Sequence, residues 1–153
     1  MDGEAGAKSL NASRMNMSAV DFDAEIEQAW AQVTGSAAGA VPWIALGYES
    51  KKKLKLLATG MDGGYGALRP HLTDDAVVYG AFKLAEPAKL IFVTSIGENT
   101  GGMVKGRATA HAQSVENALE GTTVGLQLAE EDEKEPEAVV AKLAKAIGAA
   151  VTL

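Results

Sequence analysis

The segment from Lys89 to Gly121 constrains the fold of this chain more than any other. It opens with Leu90 to Ile96, a continuous apolar and β-branched run of the kind that forms a strand buried on both faces. Gly97-Glu98-Asn99-Thr100-Gly101-Gly102 then stops the strand and lets the chain turn. Beyond it, Val104, Ala108, His111, Val115 and Leu119 recur at spacings of three and four, the stripe of an amphipathic helix. Gly121 falls where a helix C-terminus favours a residue free to take positive φ. Lys105 and Arg107 stand near the helix start, where cations oppose the helix dipole instead of complementing it. Something they bind explains them better than helix stability does.

The flanking sequence supplies partners for this strand and helix. Asp21 or Asp23 can cap a first helix whose core stripe is Phe22, Ile26, Trp30 and Val33, with Gly35 at its end. Val41 to Tyr48 reads as a strand whose Pro42 suits an edge or a strand start. Lys51, Lys52 and Lys53 form a solvated turn into a second strand, where Leu54, Leu56 and Ala58 alternate with Lys55 and Leu57. The glycine-dense Thr59 to Gly66 leads into a short helix, Tyr65 to Leu72. Thr73-Asp74-Asp75 precedes a third strand, Val77 to Leu84, and Glu86-Pro87 turns it back into the central run. A fifth strand carries Val124, Leu126 and Leu128. The acidic run that follows reads as a loop, and Pro136 then opens a final helix with Val139 (or Val140), Leu143 and Ile147 on its stripe and Gly148 at its end.

The order α-β-β-α-β-β-α-β-α implies an α/β (α+β) domain, a central mixed five-stranded sheet with helices on both faces. The length of 153 residues suits one domain with a real core, spanning 21–153. Residues 1–20, rich in Gly, Ala, Ser and Asn, read as a flexible tail.

Composition removes several function classes. There are no cysteines, which excludes disulfides, thiol catalysis and thiolate metal sites. With only His71 and His111, a histidine-rich metal site is not expected, nor is any cofactor. No serine sits in a nucleophile-elbow pattern, and both histidines read as structural, so the chain is not expected to be an enzyme. Thr59 to Gly66 lacks the Lys-Ser/Thr and the spacing of a phosphate-cradling loop. The net charge of −6 argues against a general nucleic-acid binder. Yet Glu130 to Glu137 carries −5 of it, so the remainder holds only −1 and a locally basic face is compatible with the acidic total. No run approaches membrane-spanning length and the N-terminus lacks a signal-peptide core, so a cytoplasmic protein is expected.

The string KLIFVTSIGEN, followed by a glycine, a hydrophobic residue and a basic-x-basic pair, resembles the coactosin branch of the actin-depolymerising-factor homology family. The resemblance runs from about Phe22 to Gly148, anchored by Trp43, Tyr48, Gly60 to Tyr65, Thr73-Asp74-Asp75, Tyr79-Gly80-Ala81-Phe82, Lys89 and Ile96-Gly97-Glu98-Asn99. It implies a single ADF-homology domain that binds the sides of actin filaments, a monomeric component of the cytoskeleton. By position it assigns filament contacts to Lys89, to the pair Lys105 and Arg107, and to Met103 beside that pair. Ser95 replaces the tryptophan usual in coactosins. Gly106 and Ala108 replace bulkier residues that cofilins turn on actin, which implies weak or absent severing. Cofilin-like remodelling of monomers and filaments is the alternative. Another is a module for anionic lipid headgroups built on Lys51 to Lys53.

Overall fold

The computed structural model describes residues 20–153, so the expected tail lies, apart from Val20, outside the described residues. Val20 itself is buried in the core. The chain forms β1 (Asp21–Phe22), α1 (Ala24–Thr34), β2 (Trp43–Ser50), β3 (Lys53–Gly60) and α2 (Gly64–Leu68), the last running into a 3₁₀ turn (Arg69–His71). β4 (Val77–Lys83), β5 (Leu90–Ile96), α3 (Gly102–Ala118) and β6 (Thr122–Leu128) follow. A second 3₁₀ turn (Glu131–Lys134) and α4 (Pro136–Ile147) complete the fold.

The sheet has six strands in the order β1-β3-β2-β4-β5-β6, one more than the sequence reading. The addition is β1, whose two residues pair in parallel with Lys53 and Leu54 and are too few to show a period. β2, β3, β4 and β5 are joined by antiparallel ladders, while β6 runs parallel to β5 with α3 as the crossover. Side chains alternate across the sheet as the pleat requires. Phe92 and Ile96 of β5 meet α1 and α3, whose buried residues include Trp30, Ala108 and Val115. Ile91 and Val93 meet the opposite layer, built from Tyr65 and Leu68 of α2 and Val139 and Leu143 of α4. Helices therefore cover both faces.

Some local readings change. Lys53 is the first residue of β3, not part of the turn, and pairs with Glu49 at 3.4 Å and Asp23 at 3.9 Å. Asp23 occupies the N-cap position of α1 without a side-chain capping bond. The acidic run is the larger correction. It folds into the second 3₁₀ turn, because its carboxylates find cations instead of repelling one another in solvent. Lys134, fully buried, donates to the Leu72 carbonyl at 3.2 Å and to Glu131 at 2.9 Å. Arg69 reaches Glu131 and Glu135 at 3.7 and 3.6 Å, and Tyr65 donates to the Lys134 carbonyl. Lys142 of α4 pairs with Glu133 at 2.8 Å. That bond, with the backbone N–H groups of Glu130 and Ala129, holds the Glu133 carboxyl down to about 2.

α3 is fixed to the sheet by a chain of hydrogen bonds whose direction follows from its end. Tyr79 donates to the Ala108 carbonyl at 2.8 Å, and a carbonyl has no proton to return. Tyr48 must then donate to Tyr79 across 2.9 Å, and His111 Nδ1–H must donate to Tyr48 across 2.8 Å. The imidazole therefore carries its proton on Nδ1, and a second proton could enter only at Nε2. Burial raises the pKa of both tyrosines above the ordinary 10.0. Burial first, then Arg107 and Lys52, lowers that of His111.

Two outcomes are expected. Ser95 is fully buried with its Oγ unpartnered among the described residues, so Ser95→Ala removes an unpaired hydroxyl and raises unfolding free energy by about 1 kcal/mol in urea titration. A midpoint that falls would show the hydroxyl to be satisfied. For His111, the depressed folded-state pKa means the folded protein resists a proton that the unfolded chain accepts. Stability is complete above the unfolded value near 6.5 and is lost as pH falls through the lower folded value. The stability of wild type relative to His111→Gln should thus decline between about pH 7.5 and pH 5. A flat difference would contradict the assigned environment.

Candidate functional site

The turn that launches α3 is set by two stretches that the sequence keeps apart. Gly97 lies against Asp74 so closely that a Cβ on it would come within 2.5 Å of the Asp74 carbonyl group. Gly97 N–H donates to the Ala76 carbonyl at 3.0 Å, and Asn99 N–H to the Asp74 carbonyl at 2.8 Å. The Thr73-Asp74-Asp75 turn and the Gly97 to Asn99 turn thus brace each other, and α3 departs from that brace.

The first two turns of α3 carry Met103, Lys105 and Arg107. Met103 is 82% exposed, the most exposed large apolar side chain among the described residues. At 100° per residue, Lys105 and Arg107 lie on opposite flanks of the helix, with the buried Ala108 on the side between them and Gly106 and Ala110 on the outer ridge. The flanks open on different grooves. Lys105 lines one of about 560 Å³ with Glu98, Thr109, Gln127 and Glu130, and its Nζ donates to the Glu98 carbonyl at 3.4 Å. Arg107 lines one of about 820 Å³ with Tyr48, Lys55, Leu57 and His71. Among the described residues no carboxylate pairs with Arg107.

Lys89 is exposed but stands elsewhere. It immediately precedes β5, whereas the loop into α3 follows β5, so seven residues of strand separate them, roughly 20 Å. The structure unites Met103, Lys105 and Arg107 on one helix and places Lys89 at the other end of the sheet. What the sequence reading did not find is the setting of Arg107, where Tyr48 and Lys55 come from the β2–β3 hairpin and His71 from the turn after α2. Only the polar His111 within an apolar stripe hinted that the helix meets polar partners beneath it.

Both histidines are engaged by aromatic neighbours. His71 stacks on Trp43 with ring centroids 5.2 Å apart, and His111 is engaged by Tyr48. No group of three His, Asp or Glu residues able to hold a metal ion occurs among the described residues, and none of the described helices is long and apolar enough to cross a membrane.

Residues 19–144 match the family described as cofilin/tropomyosin-type actin-binding protein. Drebrin-like protein A of Xenopus laevis is 31% identical over 112 residues, covering 70% of this chain and 25% of the relative. The chain thus spans about a quarter of the length of the curated relatives it matches. Coactosin from Entamoeba histolytica aligns with a TM-score of 0.70 at 20% identity, over 87% of this chain and all of that one. Mouse coactosin, an actin-filament-binding protein, aligns with a TM-score of 0.61 at 21% identity, over 84% and 92% of the two chains. With a six-stranded mixed sheet, helices on both faces and α3 as the parallel crossover, this fold is that of the ADF-homology domain, and the chain belongs to the cofilin/tropomyosin-type actin-binding family.

Proposed function

We propose that this domain binds the sides of actin filaments, with little or no severing, and acts at the cytoskeleton as a non-enzymatic component. The observation that carries the reading is the exposed start of α3, where Met103 projects between two cations that form no ion pair among the described residues. The structural likeness to mouse coactosin, itself a filament binder, supports it. Lys89 supplies a second point of contact at the far end of β5. Two separated contacts suit a filament, which presents acidic surface over more than one subunit. Gly106 and Ala110 leave the outer ridge of α3 without the bulky side chains a wedge would need.

The lipid-headgroup reading loses one of its three lysines, since Lys53 is committed to Glu49 and Asp23.

Co-sedimentation with actin filaments tests the proposal. The protein should pellet without releasing actin to the supernatant, and less of it should pellet as salt rises from low to physiological, because exposed cations are screened. Lys89→Ala should weaken apparent affinity at least about tenfold, a loss of about 1.4 kcal/mol, while its urea midpoint stays unchanged. Absence of pelleting at either salt would overturn the reading. Actin released to the supernatant would replace it with filament remodelling, and undiminished binding by Lys89→Ala would remove that residue from the site.

A further inference from the structure

Met103 invites a question that the binding proposal leaves open. Methionines usually fill gaps in cores, yet at 82% exposure this one packs against almost nothing in its own chain. It sits in the first turn of α3, two residues after the N-cap Gly101, and that helix start has no side-chain cap. The first N–H groups of the helix therefore lack acceptors from within it. Arg107 lies four residues on, on the same flank, without a carboxylate partner among the described residues. Met61, 45% exposed, is the other methionine among the described residues.

We propose that Met103 is an oxidation site, and that its conversion to the sulfoxide by peroxide weakens filament binding while leaving the fold intact. The reaction balances simply. A sulfur lone pair attacks one peroxide oxygen, the S–O bond forms as the O–O bond breaks, and the departing hydroxide takes a proton to become water. Sulfur is oxidised by two electrons and peroxide is reduced. The product replaces an apolar, polarisable tip with a strong acceptor. Near a helix start that acceptor is favoured by the dipole and by the free N–H groups, so the oxidised helix is not destabilised. Arg107 stands one helical turn on, at the i,i+4 spacing that lets side chains meet, so the same oxygen would engage the guanidinium that otherwise meets the acidic filament. Oxidation thus removes an apolar contact and occupies a cation in one step, and methionine sulfoxide reductases can reverse it. The effect on binding rests on the filament-binding reading, whereas the preference for Met103 as the oxidation site does not.

The test treats the full chain with hydrogen peroxide, maps sulfoxide by peptide mass, and compares co-sedimentation before and after. Met103 should oxidise ahead of Met61, and apparent filament affinity should fall at least about tenfold, with the urea midpoint unchanged. Sulfoxide reductase should restore pelleting. Met61→Leu should keep the peroxide response, and Met103→Leu, whatever its starting affinity, should lose it. Faster oxidation of Met61 would overturn the site. Full conversion of Met103 with unchanged pelleting, or an undiminished peroxide response in Met103→Leu, would overturn the effect. If untreated protein fails to pellet, the filament-binding reading falls and takes the claimed effect with it, while the mapping still decides the site.

Discussion

Tyr79, at the middle of the sheet on β4, reaches the Ala108 carbonyl, and the placement of α3 depends on that bond and on the small side chains beneath the helix. Ala108 and Ala118 let the helix lie close to the sheet, while Val115 and Leu119 supply the apolar contact. A helix with glycines at 102 and 106 has weak intrinsic propensity, so tertiary packing must supply most of its stability. Trp30 adds a tie from α1, its Nε1–H donating to the Glu120 carbonyl at 3.1 Å. All of these contacts are made by the inner face. The outer ridge takes no part in that packing, and Met103 stands exposed beside it.

Charge is divided in the same way. Most of the net −6 resides between Glu130 and Glu137, where it is bound up with Arg69, Lys134 and Lys142. Burying the Lys134 ammonium without a partner would be costly, and the Leu72 carbonyl together with Glu131 offsets that cost. Glu98 joins this brace to the launch of α3, accepting from the Glu131 N–H at 3.0 Å while its own carbonyl meets Lys105. The acidic surface and the cationic start of α3 are therefore neighbours on the Lys105 flank. The Arg107 flank also holds two carboxylates, Glu49 and Asp75, but Lys55 lines the same groove and Glu49 is paired with Lys53, and no carboxylate among the described residues pairs with Arg107.

Most of the fold was legible because it rests on local signals. The β5 run, the α3 stripe, Pro136 at the start of α4 and Gly148 at its end, with φ of 80°, all record short-range requirements. β1 was not legible, since two residues show no period. The folded acidic run was missed because its cations come from Arg69, sixty-odd residues earlier, and from Lys142 on the next helix. The candidate site residues came from the motif resemblance, and the structure sets Met103, Lys105 and Arg107 on one helix. Their divergence onto two flanks and the distance of Lys89 depend on helix rotation and strand direction. Motif order carries neither.

Gly106 lies where the packing of α3 and the shape of its outer face meet. A Cβ there would meet nothing within 4 Å, so the fold does not need a glycine, and one in a helix interior costs about 1 kcal/mol relative to alanine. Its use must lie in the shape of the outer ridge, kept low by Gly102, Gly106 and Ala110. A low ridge offers a partner close approach to the backbone but little apolar area. On the filament-binding proposal, affinity at this helix then comes from the flanking cations and from the single tall apolar side chain, Met103, beside the separate contact proposed for Lys89. On the two proposals made above, a surface built this way would respond to two variables that a large apolar interface would ignore: ionic strength, through Lys105 and Arg107, and oxidation, through one sulfur atom.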